Sequence, residues 1–234
     1  MIKDIAILIP AHNEEKAIGR LVSELKEKYE TVIVVNDGSS DKTALYAGDN
    51  GAVVLTHSVC KGKGEALKTG FEYVVKHGVD AVITMDGDGQ HTAEDASNFE
   101  RAYRRNRNVA MWVGKRKIKG TEMPLIRRLT NISMSLAISM LSGQWIPDTQ
   151  NGFRLIKREV IGRIRLCTSH FETESELLIK SGWYGYRISS VKISTVYASE
   201  KSKINPCTDT MRFFKMLLMI AFPPFARITE CRKN

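Results

Sequence analysis

Two aspartates one residue apart, Asp86 and Asp88, stand in the run Asp86-Gly87-Asp88-Gly89-Gln90-His91, directly after the apolar stretch 81–85. Hard carboxylate oxygens at the end of a buried strand suit one Mg²⁺ or Mn²⁺ held jointly with substrate phosphates. Asp86, Asp88 and the Gln90 amide are the candidate metal ligands; His91 ranks below Gln90 and otherwise caps the next helix. Two acids between glycines are equally the composition of a solvated turn. The pair acquires meaning only if the rest of the chain builds a phosphate-binding site around it.

The elements that must position these residues are legible as alternating patterns. Apolar runs at 5–9, 31–35, 53–55, 81–85 and 109–113 read as strands. Amphipathic stretches at 14–28, 41–47, 64–77 and 92–107 read as helices, with Asn13, Ser40 and Thr92 as their expected caps. Strands alternating with helices predict an α/β fold, a mostly parallel sheet flanked by helices, whose ligands bind beyond the carboxyl ends of the strands. The polar runs 10–15, 36–41 and 86–91 follow the first, second and fourth strands, so three loops meet at one edge. The second half reads as a helix at 123–141, a loop at 147–154, a helix near 172–181, strands near 187–196 and an apolar tail. Residues 1–200 are expected to form one catalytic domain and 201–234 a basic, apolar appendage.

Composition narrows the partners. The chain has 234 residues, 43% hydrophobic and 26% charged, with a net charge of +9, ordinary for a folded globular domain. No apolar run reaches the roughly 20 residues needed to cross a bilayer, and Met1-Ile2-Lys3-Asp4 leads into a strand rather than a signal peptide. Cys60, Cys167, Cys207 and Cys231 lack CxxC spacing, which points to a reduced, cytoplasmic chain and away from zinc. The positive charge is concentrated: residues 101–128 carry ten Lys/Arg against Glu122 alone, and 201–234 carry seven against Asp209 and Glu230. An anionic partner touching both places fits that distribution. Nucleic acid is disfavoured, because no aromatic-interleaved or helix-turn-helix signature accompanies the basic block.

Six motifs in order, PAHNEE at 10–15, VVNDGSSDKT at 34–43, DGDGQH at 86–91, GKR at 114–116, DTQNGFR at 148–154 and HFETESE at 170–176, resemble the family 2 glycosyltransferases. More narrowly, they resemble the dolichyl- or polyprenyl-phosphate sugar synthase branch. The resemblance implies the A-type, Rossmann-like glycosyltransferase fold and inverting transfer from a nucleotide-sugar donor. Pro10, His12, Glu14, Asp37 and Asp86 are the expected nucleotide-binding residues, Asp37 accepting a hydrogen bond from a base N–H or a ribose hydroxyl. Asp88, Arg116 and Asp148 are the candidate catalytic residues. The resemblance further implies that an arginine and a hydroxyl residue four positions on hold a lipid phosphate; here the pair is Arg127 and Asn131. Arg116 and Arg154 complete the candidate acceptor-phosphate set, guanidinium being suited to fork-like phosphate binding. Arg154 alternatively pairs with Asp148, and a purely structural ion pair is an equal reading of it.

The acceptor decides the chemistry. A phosphate monoester is ionised at pH 7 and attacks without a base, whereas a hydroxyl on a glycan or glycolipid needs a carboxylate nearby, and Asp148 is the candidate. A catalytically silent nucleotide-sugar-binding protein is the third alternative. Among Glu172, Glu174 and Glu176, Glu174 resembles the family's recurring acid. Lys61-Gly62-Lys63-Gly64 could reach phosphates, but it lacks Walker spacing and reads first as a surface turn before a helix. His57, His77 and His170 carry no metal spacing. The uncharged run 216–226 is too short to span a membrane and suits an interfacial helix, with Phe213, Phe214, Leu217, Leu218 and Ile220 available to a lipid surface. The same helix could instead pack on the domain or form a homo-oligomer interface. The apolar positions Leu125, Leu129, Ile132, Leu136 and Met140 could likewise flank a lipid tail or belong to the core.

Overall fold

A computed structural model describes residues 1–89, 91–116, 125–194 and 206–221. Seven strands form one sheet in the order β3-β2-β1-β4-β6-β5-β7. They are β1 (Ile2–Ala11), β2 (Tyr29–Asp37), β3 (Val53–His57), β4 (Ala81–Thr84), β5 (Met111–Arg116), β6 (Arg154–Lys157) and β7 (Ile188–Ile193). The helices are α1 (Ile18–Lys26), α2 (Thr43–Asp49), α3 (Lys63–Lys76), α4 (Ala93–Arg105), α5 (Leu125–Ser142), α6 (Arg158–Arg163), α7 (Glu172–Trp183) and α8 (Pro206–Ala221).

Strand β1 is buried on both faces, which is why its sequence is a continuous apolar run. Ile5, Ile7 and Ile9 enter one core with Leu21 and Leu25 of α1 and Phe99 of α4. Ala6 and Leu8 enter the other with Leu67 and Phe71 of α3 and Leu177 of α7. Period-two alternation thus serves two helical layers. All neighbouring strands pair in parallel except β6, which is antiparallel to both β4 and β5.

Three expectations change. The loop expected at 147–154 runs straight into β6 and α6. Only Leu155 and Ile156 mark that strand in the sequence, too few for a periodic signal. Thr92 does cap α4, accepting from the Asp95 N–H at 3.2 Å. Asn13 and Ser40 instead tie two loops together: the Ser40 N–H donates to Asn13 Oδ1 at 2.9 Å and the Asn13 N–H to Ser39 Oγ at 3.0 Å. Asn13 tolerates this with φ 54, a left-handed conformation that asparagine adopts more readily than most residues.

The apolar tail helix is divided between environments. Phe213 and Met216 of α8 are buried in the core shared with α3 and α7, so Phe213 is not available to a lipid surface. Met211, Phe214 and Leu218 point outward. On α5, Ile138 is buried while Ile132, Leu136 and Met140 are exposed, so those three are not core. The side chains of Leu125, Leu129 and Ile220 lie outside the description. Among the described residues, no helix is long and apolar enough to cross a membrane.

Candidate functional site

The loops following β1, β2, β3 and β4 converge with the 147–153 loop and the start of α7 at one end of the sheet. The first wall comes from residues 10–17 and 37–43. The Glu14 N–H donates to Thr43 Oγ1 at 2.8 Å, the Glu15 N–H to Asp41 Oδ2 at 3.1 Å, and His12 Nδ1 donates to the Asp37 carbonyl at 2.7 Å. These contacts hold His12 and Glu14 against the 37–43 segment, and Pro10 lies in β1 just before them.

Asp37 departs from expectation. It is 3% exposed, and its carboxylate already accepts from His57 Nδ1 (2.7 Å), the Lys61 and Gly62 N–H groups (2.8 Å each) and Cys60 Sγ (3.3 Å). Four donors use a carboxylate's lone-pair sites, so Asp37 shapes the 58–62 loop rather than presenting a bare acceptor to a nucleotide. Burial pushes its carboxyl up, but the His57 and backbone hydrogen bonds outweigh burial and hold it below the usual range. A depressed folded value stabilises the protein above the unfolded value, and that contribution is lost as pH falls through the folded one. Asp37→Asn is accordingly expected to cost about 1–3 kcal/mol near neutrality. Urea titrations should show the gap to wild type narrowing below about pH 4; a gap constant with pH would refute this account.

The Lys-Gly-Lys-Gly run joins the loop after β4 to α7. Lys63 is not on a surface turn: its Nζ lies 2.6 Å from Asp86 Oδ1 and 3.2 Å from Glu174 Oε2, with the side chain 15% exposed. Gly62 and Gly64 make this possible. A Cβ on Gly64 would lie 2.0 Å from Thr173 Oγ1, and one on Gly62 would lie 2.5 Å from His170 Nδ1, so only glycines let α3 start against the start of α7. Burial raises the Asp86 carboxyl, but the Lys63 ammonium more than reverses this, keeping it a carboxylate at neutral pH. Two glycines flanking a lysine before a helix were the available clue. Glu176, by contrast, serves structure, accepting from the Cys167 and Thr168 N–H groups and from Lys180.

Asp86 and Asp88 share the loop after β4, and His91 is buried beside them. Its Nε2 lies 3.9 Å from Asp86 Oδ2, its ring is tilted against Phe153, and its Nδ1 has no hydrogen-bond partner among the described residues. The hard anionic oxygens of Asp86 and Asp88 fit a Mg²⁺ or Mn²⁺ ion by donor type. Among the described residues no group of three His, Cys, Asp or Glu converges on a metal position. Mg²⁺ sites commonly complete their shell with water and substrate phosphates. Gln90 lies outside the described residues.

At the end of β5, Arg116 and Asp148 form a bidentate pair, Nε to Oδ2 at 2.8 Å and Nη2 to Oδ1 at 2.9 Å. Asp148 is 6% exposed and both its oxygens receive guanidinium protons, a poor state for a general base. Arg154 is a correction. It is 1% exposed and donates to the carbonyls of Asn151 (3.0 Å), Glu174 (2.7 Å) and Thr149 (2.8 Å). Buried and held this way, it organises the 149–151 loop and the start of α7 rather than facing an acceptor phosphate. Among the described residues it forms no ion pair with Asp148, whose partner is Arg116. Asn131 lies on α5, one turn after Arg127, whose side chain lies outside the description.

Residues 6–165 match the family model described as glycosyl transferase family 2. The chain is 31% identical to an uncharacterized protein of Methanocaldococcus jannaschii, over 94% of this chain and 93% of that one. It is 30% identical to the UDP-N-acetylglucosamine–dolichyl-phosphate N-acetylglucosaminyltransferase of Methanococcus voltae, over 83% of this chain and 86% of that one. In fold it matches glucosyl-3-phosphoglycerate synthase from Mycobacterium tuberculosis, crystallised with Mn²⁺, uridine diphosphate and phosphoglyceric acid. That match has a TM-score of 0.71 and 17% identity, over 94% of this chain and 78% of that one.

Proposed function

Because the chain belongs to the family 2 glycosyl transferases, we propose that it moves a sugar, with inversion, from a UDP- or GDP-sugar to a polyprenyl phosphate at the cytoplasmic face of a membrane. The observation that carries the choice of acceptor is the Arg116–Asp148 pair. It occupies the carboxylate that a hydroxyl acceptor would need as base, and it sets a guanidinium beside the site. The relative from Methanococcus voltae, whose name specifies a dolichyl-phosphate acceptor, supports the same choice.

In this mechanism Pro10, His12 and Glu14 bound the nucleotide, with Asp37 bracing the loop beside it. Arg116, Arg127 and Asn131 hold the acceptor phosphate, whose ionised oxygen attacks the anomeric carbon from the face opposite the diphosphate. The new C–O bond forms as the bond to the diphosphate breaks, and nucleoside diphosphate leaves. A Mg²⁺ or Mn²⁺ held by Asp86, Asp88 and Gln90 supplies Lewis-acid stabilisation of the leaving group when bound. Arg116 needs no proton transfer for its part, since guanidinium stays charged and orients phosphate oxygens through fixed N–H groups.

Two outward apolar stripes support membrane contact: Ile132, Leu136 and Met140 on α5, and Met211, Phe214 and Leu218 on α8. Full burial of each such side chain contributes about 1.5–3 kcal/mol, enough together for reversible association. Residues 201–234 thus act as an appendage whose helix both packs on the domain and meets lipid.

The test is a panel of UDP- and GDP-sugars with Mn²⁺, with and without polyprenyl phosphate in liposomes, followed by product analysis. Sugar linked to lipid phosphate is the expected product; transfer to an unphosphorylated glycan instead would establish the hydroxyl-acceptor alternative. Flotation with those liposomes should weaken for a Met211→Ser/Phe214→Ser/Leu218→Ser variant. Asp148→Asn separates the two chemistries further. Transfer to a phosphate acceptor should fall by less than about tenfold, whereas loss of a general base costs about 10²–10⁴.

A further inference from the structure

We propose that Lys63 is a positioning residue that couples nucleotide binding to divalent-cation binding: its ammonium stands in for the cation between Asp86 and Glu174 until a nucleoside diphosphate draws it away. The proposal rests on the sugar-nucleotide reading above.

The geometry puts a resident positive charge where an incoming one must go. Lys63 Nζ contacts Asp86 Oδ1 at 2.6 Å and Glu174 Oε2 at 3.2 Å, and the Phe171 ring centroid lies 5.8 Å away. Gly152 covers the cluster so closely that a Cβ there would lie 2.7 Å from Nζ, 2.9 Å from Glu174 Oε1 and 3.3 Å from Asp86 Oδ2. The acceptor-side loop, α3, α7 and the loop after β4 therefore all meet at this one ammonium. A divalent cation on Asp86 would face a like charge on the same carboxylate, and repulsion is poorly screened at such a distance in a part-buried site. A diphosphate brings oxygens that form charge-assisted hydrogen bonds with an ammonium. Lysine's flexible four-carbon stem can swing to them. Once the ammonium has a new partner, Asp86 becomes available to the metal. Coupling of this kind is reciprocal: each ligand tightens the other by the same factor. A lysine that merely braced the fold would affect stability and leave that factor unchanged.

The experiment measures Mn²⁺ binding by electron paramagnetic resonance, alone and with saturating UDP or GDP. Wild type is expected to bind weakly alone and more tightly with nucleotide. In Lys63→Met, Mn²⁺ alone should bind about tenfold more tightly and the coupling factor should shrink by about as much, within the range typical of coupled sites. Lys76→Met, at the exposed far end of α3, controls for net charge and should leave coupling unchanged. A Lys63→Met coupling factor equal to wild type, or an equal change in Lys76→Met, overturns the proposal. If Lys63→Met does not fold, Glu174→Gln is read instead. With one competitor for the ammonium removed, Mn²⁺ alone should bind more weakly and coupling should grow; unchanged coupling again overturns it. Wild type that binds no Mn²⁺ even with nucleotide fails differently, removing the metal-assisted function itself along with the proposal.

Discussion

Asp88→Ala is expected to reduce sugar transfer by at least about 10³-fold, the scale of losing a group aimed at charge that develops in the transition state. The expected defect is selective. Asp88 lies on the loop after β4 and is partly exposed, so thermal unfolding should move by only about 1 kcal/mol, the centre of the range for point substitutions. Mn²⁺-dependent nucleotide binding, followed by calorimetry, should disappear with activity. Turnover within a few-fold of wild type would remove Asp88 from the leaving-group machinery and, with it, the metal assignment. Asp86→Ala is a poorer probe, because it also strands the part-buried Lys63 ammonium beside Glu174 alone.

The second large effect is on stability. Arg154→Leu should destabilise the fold by about 3–5 kcal/mol, the range typical of breaking a buried charged network. Three carbonyls, those of Thr149, Asn151 and Glu174, lose their donor at once, in a place where water does not readily replace it. For a chain of this size the melting temperature should fall by roughly 2–4 °C per kcal/mol. Arg154→Lys should recover little, since one ammonium cannot reproduce a planar fork directed at three acceptors. A change under about 1 kcal/mol would return Arg154 to the acceptor-phosphate set.

These two residues mark the boundary of what local sequence reveals. Asp88 stands out as a candidate because its neighbours advertise one: a second acid two positions back, glycines on either side, and a strand pattern before them. Arg154 leaves a phosphate contact and a structural role equally open in the sequence, for the complementary reason. Its partners are backbone carbonyls, one of them twenty residues away, and carbonyls carry no residue identity that a sequence could advertise. The short strand β6 was missed with it. Two apolar residues cannot establish a period, and β6 exists because β4 and β5 supply ladder partners on both sides.

The chain's own order of residues determined the alternation of strands and helices, the edge at which three polar loops emerge, and the motifs that place it among family 2 glycosyl transferases. Those properties are encoded in periods of two and 3.6 residues and in short spacings. Tertiary structure alone decided the partnerships. It gave the Lys63 ammonium to Asp86 and Glu174, filled the Asp37 carboxylate with donors from the 57–62 segment, and locked Arg116 to Asp148. It also split α8 between core and exterior. Each of those outcomes depends on which distant charge or apolar face arrives at a given point, and a one-dimensional pattern carries no record of that meeting.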